Sequence, residues 1–186
     1  MTVKREIFNL PNIITLIRIS IVPFLFILLS SPGEFWSLIL AVIFLIASFT
    51  DFIDGYVARK YQLVTTLGKF LDPIADKLII NTAMILMIPI NRIPAWIVAI
   101  TIMRDLLVDW IRSIASCEGI FIQASPLGKQ KTFVQIMAVT ALIAHYSVFG
   151  VDAHTVGLVI LYVAFFLTIY SGMDYFIKFY RHWAEK

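Results

Sequence analysis

Six apolar stretches recur along the chain, at Leu10–Ser30, Phe35–Thr50, Leu78–Ile90, Ala95–Val108, Phe133–Phe149 and Val156–Ile169. A helix needs about 20 residues to cross a bilayer, and several of the stretches are shorter than that. Each short stretch is extended by a flank that carries polar residues. The pattern therefore predicts an all-α integral membrane protein of six transmembrane helices, with functional polar groups at some helix ends. Ahead of the first helix, Glu6–Asn12 predicts a short amphipathic interfacial segment, because Pro11 suits a helix start.

Composition agrees with the pattern. Of 186 residues, 60% are hydrophobic and 15% charged, where soluble domains carry about a quarter charged residues. Mean hydropathy is +0.90. The bases fall in alternate connections: Lys4 and Arg5, then Arg59, Lys60, Lys69 and Lys77, then Arg112, Lys129 and Lys131, then Lys178, Arg181 and Lys186. The other connections hold Glu34, Arg92, and Asp152 with His154. By the positive-inside rule, both termini face the cytoplasm. A net charge of +3 suits an anionic leaflet rather than nucleic acid. The first stretch lacks a small-x-small cleavage site and is too long for a signal core, so it reads as a retained helix. Cys117 is the single cysteine, which excludes an intrachain disulfide and reads as an inert thiol. No internal repeat or linker divides residues 1–186, so one membrane domain is expected. Trp36, Trp96, Trp110 and Trp183 lie near predicted span ends, as in an interfacial aromatic belt.

One stretch departs from this apolar character. Asp51, Asp54, Asp72 and Asp76 stand within 26 residues, together with Gly55, Ala58, Arg59 and Gly68. Carboxylates at a membrane boundary need partners, water or cations. On helices, the three- and four-residue spacings put each pair on one face. Two helices joined by a short loop run antiparallel, so four carboxylates can meet at one level. Oxygen donors without His or Cys suit hard cations such as Mg²⁺ or Mn²⁺ rather than zinc. Gly55, Ala58 and Gly68 leave room for a substrate against the backbone, with Gly68 either on the second helix or in the turn before it. For Asp72-Pro73 the competing reading is a helix cap followed by proline at the first helical position.

The string D-x-x-D-G-x-x-A-R-x₈-G-x₃-D-x₃-D, complete from Asp51 to Asp76, resembles the signature of the CDP-alcohol phosphatidyltransferases. The resemblance implies a six-helix membrane enzyme, a homodimer, that moves a phosphate-linked group from a CDP-lipid to an alcohol and releases CMP. It implies that Asp51, Asp54, Asp72 and Asp76 hold two divalent cations and that Asp76 is the catalytic base. Gly55, Ala58, Arg59 and Gly68 would line the nucleotide site, joined by Asn12 and Thr15, which form a polar stripe with Arg18. Snorkelling of Arg18 explains that stripe equally well. An aspartyl-phosphate intermediate stays open beside direct displacement.

Flanking strings narrow the acceptor. Asn9–Arg18, Gly68–Lys77 and Leu127–Thr132 resemble the bacterial members of that family that act on CDP-diacylglycerol and sn-glycerol 3-phosphate, at the cytoplasmic face of the cell membrane. Arg104, Arg112, Lys129 and Lys131 fit a phosphorylated acceptor. The positive-inside rule also explains Arg112, Lys129 and Lys131, but not Arg104, deep in an apolar run. Neutralisation along one helix face through Asp105 and Asp109 is the competing reading. Other acceptors (inositol phosphate, serine or phosphatidylglycerol) keep the same fold, and a divalent-cation transporter is the reading from another class. His145, His154 and His182 read as scattered surface residues, and Ser171–Tyr175 as packing.

Overall fold

The computed structural model describes the backbone at 20, 23–25, 27, 29, 33–60, 66–117, 126–148 and 150–184, and side chains there except at 51–60, 66–74, 76, 117, 126, 129, 148 and 182–184. Five helices are described: α1 Glu34–Lys60, α2 Thr66–Met87, α3 Ala95–Cys117, α4 Pro126–Ala144 and α5 Ala153–Ala184. Between α4 and α5, β1 Ser147–Val148 pairs antiparallel with β2 Val151–Asp152. The first predicted span falls largely outside the described residues. Those that are described within it are helical, and Leu25 and Leu29, four apart, are buried in the common core.

The helices overrun the apolar stretches at one end, as the polar flanks predicted. α1 continues ten residues past Thr50, to Lys60. α2 begins at Thr66, eleven residues before its apolar portion at Lys77–Met87. Ala153–Arg181 is long and apolar enough to cross a membrane, while Glu34–Thr50, Lys77–Met87 and Gln130–Ala144 are shorter apolar portions. Two predicted stretches end early. α2 stops at Met87 because Pro89 follows, and Asn91 turns the chain with a φ of 54°. α4 stops at Ala144, where His145 takes a φ of 61°. Asp152 then caps α5, accepting from the backbone N–H groups of His154 at 3.2 Å and Thr155 at 3.3 Å.

Side-chain contacts fix the register of the bundle. Phe49 of α1 meets Phe133 of α4 edge to face at 6.1 Å, and Gln135 of α4 approaches Met84 of α2. Phe44, Met84, Ile97, Val139 and Leu142 form the centre of the core. Bulky residues also face outward, including Leu106 and Trp110 on α3 and Phe166 and Tyr180 on α5. Such a surface suits lipid rather than water. Trp36, Trp96 and Trp110 are at least half exposed, in keeping with the belt; the Trp183 side chain lies outside the described set.

At one end of the bundle, Arg92 is 2% exposed. Its Nη1 donates to the Ile143 carbonyl at 2.7 Å and its Nη2 to Ser37 Oγ at 3.0 Å. The start of α1, the α2–α3 turn and the end of α4 are thus tied at a single guanidinium. Beside it, His145 and His154 are not scattered as expected: their Nδ1 atoms lie 3.2 Å apart. The chain reverses through the β1–β2 turn and brings them together. Burial lowers the His145 imidazole pKa, Arg92 and His154 lower it further, and Asp152 opposes them. The Asp152 carboxyl is itself held below the usual carboxylate range, first by the Thr155 hydroxyl. The His182 side chain lies outside the described set.

Candidate functional site

The opposite end gathers cations. Arg104 of α3 donates from Nη1 to Asp105 at 2.9 Å and from Nη2 to Ser171 Oγ of α5 at 2.7 Å. Arg112, two turns further along α3, donates from Nη2 to the Tyr175 hydroxyl at 2.8 Å, and its guanidinium lies 5.1 Å from the centre of that ring. Lys131 of α4 is buried and pairs with the same Asp105. Lys77 of α2 pairs with Asp109 of α3. The acids of α3 are therefore neutralised across helices, by Lys131 and Lys77 and by the adjacent Arg104, rather than by Arg112 along the helix face.

This cluster is incompletely satisfied. Arg104, Arg112 and Lys131 carry three positive charges, and Asp105 is the one carboxylate paired with any of them among the described residues. Among the described residues, the Nε atoms of Arg104 and Arg112 are buried without a hydrogen-bond partner. A buried donor attached to a charge is costly to leave unpaired. A dianion with several acceptor oxygens would satisfy both the charge and the donors.

The aspartate string lies at the same level. Asp51 and Asp54 follow Phe49, whose partner Phe133 stands two residues from Lys131. Asp76 precedes Lys77, which is paired with Asp109. The helical backbone thus carries both aspartate pairs toward the cationic end, with the spacing the sequence predicted; the four side chains lie outside the described set. Among the described residues no three His, Cys, Asp or Glu side chains gather as a metal site. The donors of the string, all carboxylate oxygens, fit hard divalent cations.

The helix bounds decide between the alternatives left open for Asp72 and Gly68. α2 starts at Thr66, so Asp72 is not its cap and Pro73 is not its first residue. Gly68 is in the helix rather than in the turn before it. A proline inside a helix deprives the carbonyl four residues back, here that of Lys69, of its usual partner. With capping removed as an explanation, the ligand reading of Asp72 loses its main competitor. Gly55, Ala58 and Arg59 lie on the last turns of α1, and Lys129 on the first turn of α4; the side chains of Ala58, Arg59 and Lys129 are outside the described set. Asn12, Thr15 and Arg18 lie outside the described residues altogether.

The profile of the CDP-alcohol phosphatidyltransferases matches residues 8–170. The chain belongs to the CDP-alcohol phosphatidyltransferase family. It is 41% identical over 183 residues to the CDP-diacylglycerol–glycerol-3-phosphate 3-phosphatidyltransferase of Bacillus subtilis, covering 92% of this chain and 95% of that one. The enzyme of the same name from Rickettsia typhi is 37% identical over 169 residues, covering 90% and 95%. A probable phosphatidylglycerophosphate synthase of Mycobacterium tuberculosis is 36% identical over 181 residues, covering 96% and 85%.

In this CDP-alcohol phosphatidyltransferase, the sequence missed the residues of α5 that meet the two arginines. Ser171 and Tyr175 are one turn apart, and Gly172 lies against Arg104: a Cβ built on Gly172 would stand 2.9 Å from its Nε. A hydroxyl, a glycine and a second hydroxyl at i, i+1 and i+4 in an apolar helix were the available signal. Their partners, more than 60 residues away on α3, were not legible from spacing.

Proposed function

We propose that the protein transfers the phosphatidyl group of CDP-diacylglycerol to sn-glycerol 3-phosphate, forming phosphatidylglycerophosphate and releasing CMP. The observation that carries this reading is the partly buried cluster of Arg104, Arg112 and Lys131, with more positive charge than Asp105 offsets and two buried Nε donors that have no partner among the described residues. A phosphomonoester brings about −1.5 to −2 charges at neutral pH and several acceptor oxygens. An acceptor without phosphate would leave the cluster unsatisfied. The similar proteins from Bacillus subtilis and Rickettsia typhi are named for this acceptor.

In this reading Arg104, Arg112, Lys129 and Lys131 hold the acceptor phosphate and so fix the acceptor hydroxyl beside the CDP-lipid. Asp76 takes the hydroxyl proton. The hydroxyl oxygen forms a bond to the β-phosphorus, the bond from that phosphorus to the bridging oxygen breaks, and CMP leaves with the electron pair. Gly55, Ala58, Arg59 and Gly68, with Asn12 and Thr15, form the nucleotide site. Asp51, Asp54, Asp72 and Asp76 would hold two divalent cations, Mg²⁺ or Mn²⁺, which when bound neutralise the pyrophosphate and the leaving group.

The reading includes one domain of six membrane-spanning helices, both termini and the active site at the cytoplasmic face of a bacterial membrane, and a homodimer. Charge supports the orientation: Lys77, Arg104, Arg112, Lys131, Lys178 and Arg181 lie toward one end and Arg92 at the other. The dimer rests on the resemblance alone. The test is CMP release by the purified protein from CDP-diacylglycerol, with each acceptor supplied in turn. Glycerol 3-phosphate should support release. Release with inositol phosphate, serine or phosphatidylglycerol but none with glycerol 3-phosphate would refute the assignment.

A further inference from the structure

Two arginines that stand eight residues apart on α3 are bound by hydroxyls only four residues apart on α5. At 1.5 Å of rise per residue, that is about 12 Å on α3 against about 6 Å on α5. The two side chains therefore lean toward one another between the helices. Both are held in the same manner. A helix hydroxyl takes Nη2, and the neighbouring Nε on the same edge of the guanidinium is buried and, among the described residues, without a partner. Gly172 meets Arg104 at that very edge: an added Cβ would stand 2.9 Å from Nε and 3.1 Å from Cγ. Any larger residue there must displace the arginine, and the flexible side chain can yield without the helices parting.

We propose that Ser171, Gly172 and Tyr175 are positioning residues for the acceptor site: Ser171 and Tyr175 hold Arg104 and Arg112 by Nη2, and Gly172 leaves Arg104 room to lie against α5, so that both guanidinium groups are fixed where the acceptor phosphate binds. This rests on the function proposed above. α5 touches no reacting atom in this arrangement. It sets how tightly a phosphorylated acceptor binds, through the placement of two cations, and so acts on specificity rather than on the chemical step.

The test is steady-state CMP release by the purified full chain, with glycerol 3-phosphate varied at saturating CDP-diacylglycerol and then the reverse. The variants are Gly172→Ala, Tyr175→Phe, Arg104→Ala and the double variant Gly172→Ala/Arg104→Ala. Tyr175→Phe keeps the ring beside Arg112 and removes only the hydroxyl. Gly172→Ala and Tyr175→Phe should each raise the glycerol 3-phosphate KM about three- to tenfold, the effect of one misplaced hydrogen bond to a charge. The CDP-diacylglycerol KM and kcat should stay within about twofold of the parent, on the reasoning that acceptor binding is lost equally from the ground state and the transition state. Gly172→Ala should add nothing once Arg104 is gone.

Equal rises in both KM values, a fall in kcat alone, or full additivity in the double variant would overturn the proposal by showing general damage to packing. If Arg104→Ala raises the acceptor KM but Gly172→Ala and Tyr175→Phe do not, the α5 proposal fails and the acceptor site stands. If Arg104→Ala itself leaves the acceptor KM unchanged, or wild type gives no CMP with glycerol 3-phosphate, both fail.

Discussion

Arg92, at the turn from α2 to α3, and Arg104 with Arg112, between α3 and α5, are all withdrawn from bulk water, but they are satisfied differently. Arg92 is almost fully enclosed, and its nitrogens go to a main-chain carbonyl and a serine that belong to different helices. Among the described residues it leaves no buried nitrogen unpaired. Among the described residues, Arg104 and Arg112 are each left with one buried donor unmet, and Lys131 adds a third charge beside the one carboxylate paired there, Asp105. A saturated guanidinium works as a clamp between helices. An unsaturated pair, at the same level as a string of aspartates, is what the proposed function assigns to the acceptor phosphate.

The difference can be sharpened from both ends. Asp76→Asn, at the unsaturated end, should lower kcat by about 10² to 10⁴, the range for losing a general base. Thermal stability and nucleotide binding should hardly change, as thermal melts with and without CMP would show. Arg92→Ala should do the reverse. It strands the Ile143 carbonyl and Ser37 and opens a cavity, so about 3 kcal/mol of stability should go. In the surviving enzyme both KM values should be near those of the parent. A large shift in acceptor KM for Arg92→Ala would erase the distinction between the two ends.

A smaller effect belongs to pH. Because the folded protein holds the His145 pKa below the usual histidine value, the unfolded chain takes up a proton first as pH falls. The contribution of neutral His145 is thus complete above about pH 6.5 and is lost progressively below it, down to the lowered folded pKa. The melting temperature should decline between pH 7 and pH 5, and less steeply in His145→Gln. The charged and titratable groups around it, Arg92, His154 and Asp152, all belong to the same end of the bundle. Acceptor binding should not follow this profile.

Much of this contrast was legible in the sequence, and the remainder was hidden for physical reasons. Apolar runs with polar flanks gave the helices and the ends at which they overrun, because burial and helix length are local properties of the chain. Arg104 drew notice because a cation deep in an apolar run has to find a partner. Arg92 did not, since a base between Asn91 and Pro94 looks like an ordinary exposed turn. Its burial depends on Ser37 and Ile143, brought to it only by the packing of α1 and α4. Ser171 and Tyr175 were read as packing for a similar reason. A hydroxyl in an apolar helix can bond back to its own backbone, and nothing local reveals that it faces an arginine. For Asp72 the competing cap reading stayed open because Asp-Pro so often marks a helix start, whereas here the helix begins six residues earlier, at Thr66.

The most direct test of the contrast is the glycerol 3-phosphate KM measured side by side in wild type, Arg112→Ala and Arg92→Lys, by CMP release at saturating CDP-diacylglycerol. Loss of a charge-assisted contact predicts a rise of about tenfold or more for Arg112→Ala, with the CDP-diacylglycerol KM unchanged and Arg92→Lys close to wild type. An unchanged acceptor KM in Arg112→Ala, or an equal rise in Arg92→Lys, would contradict the assignment of the unsaturated arginines to the acceptor phosphate.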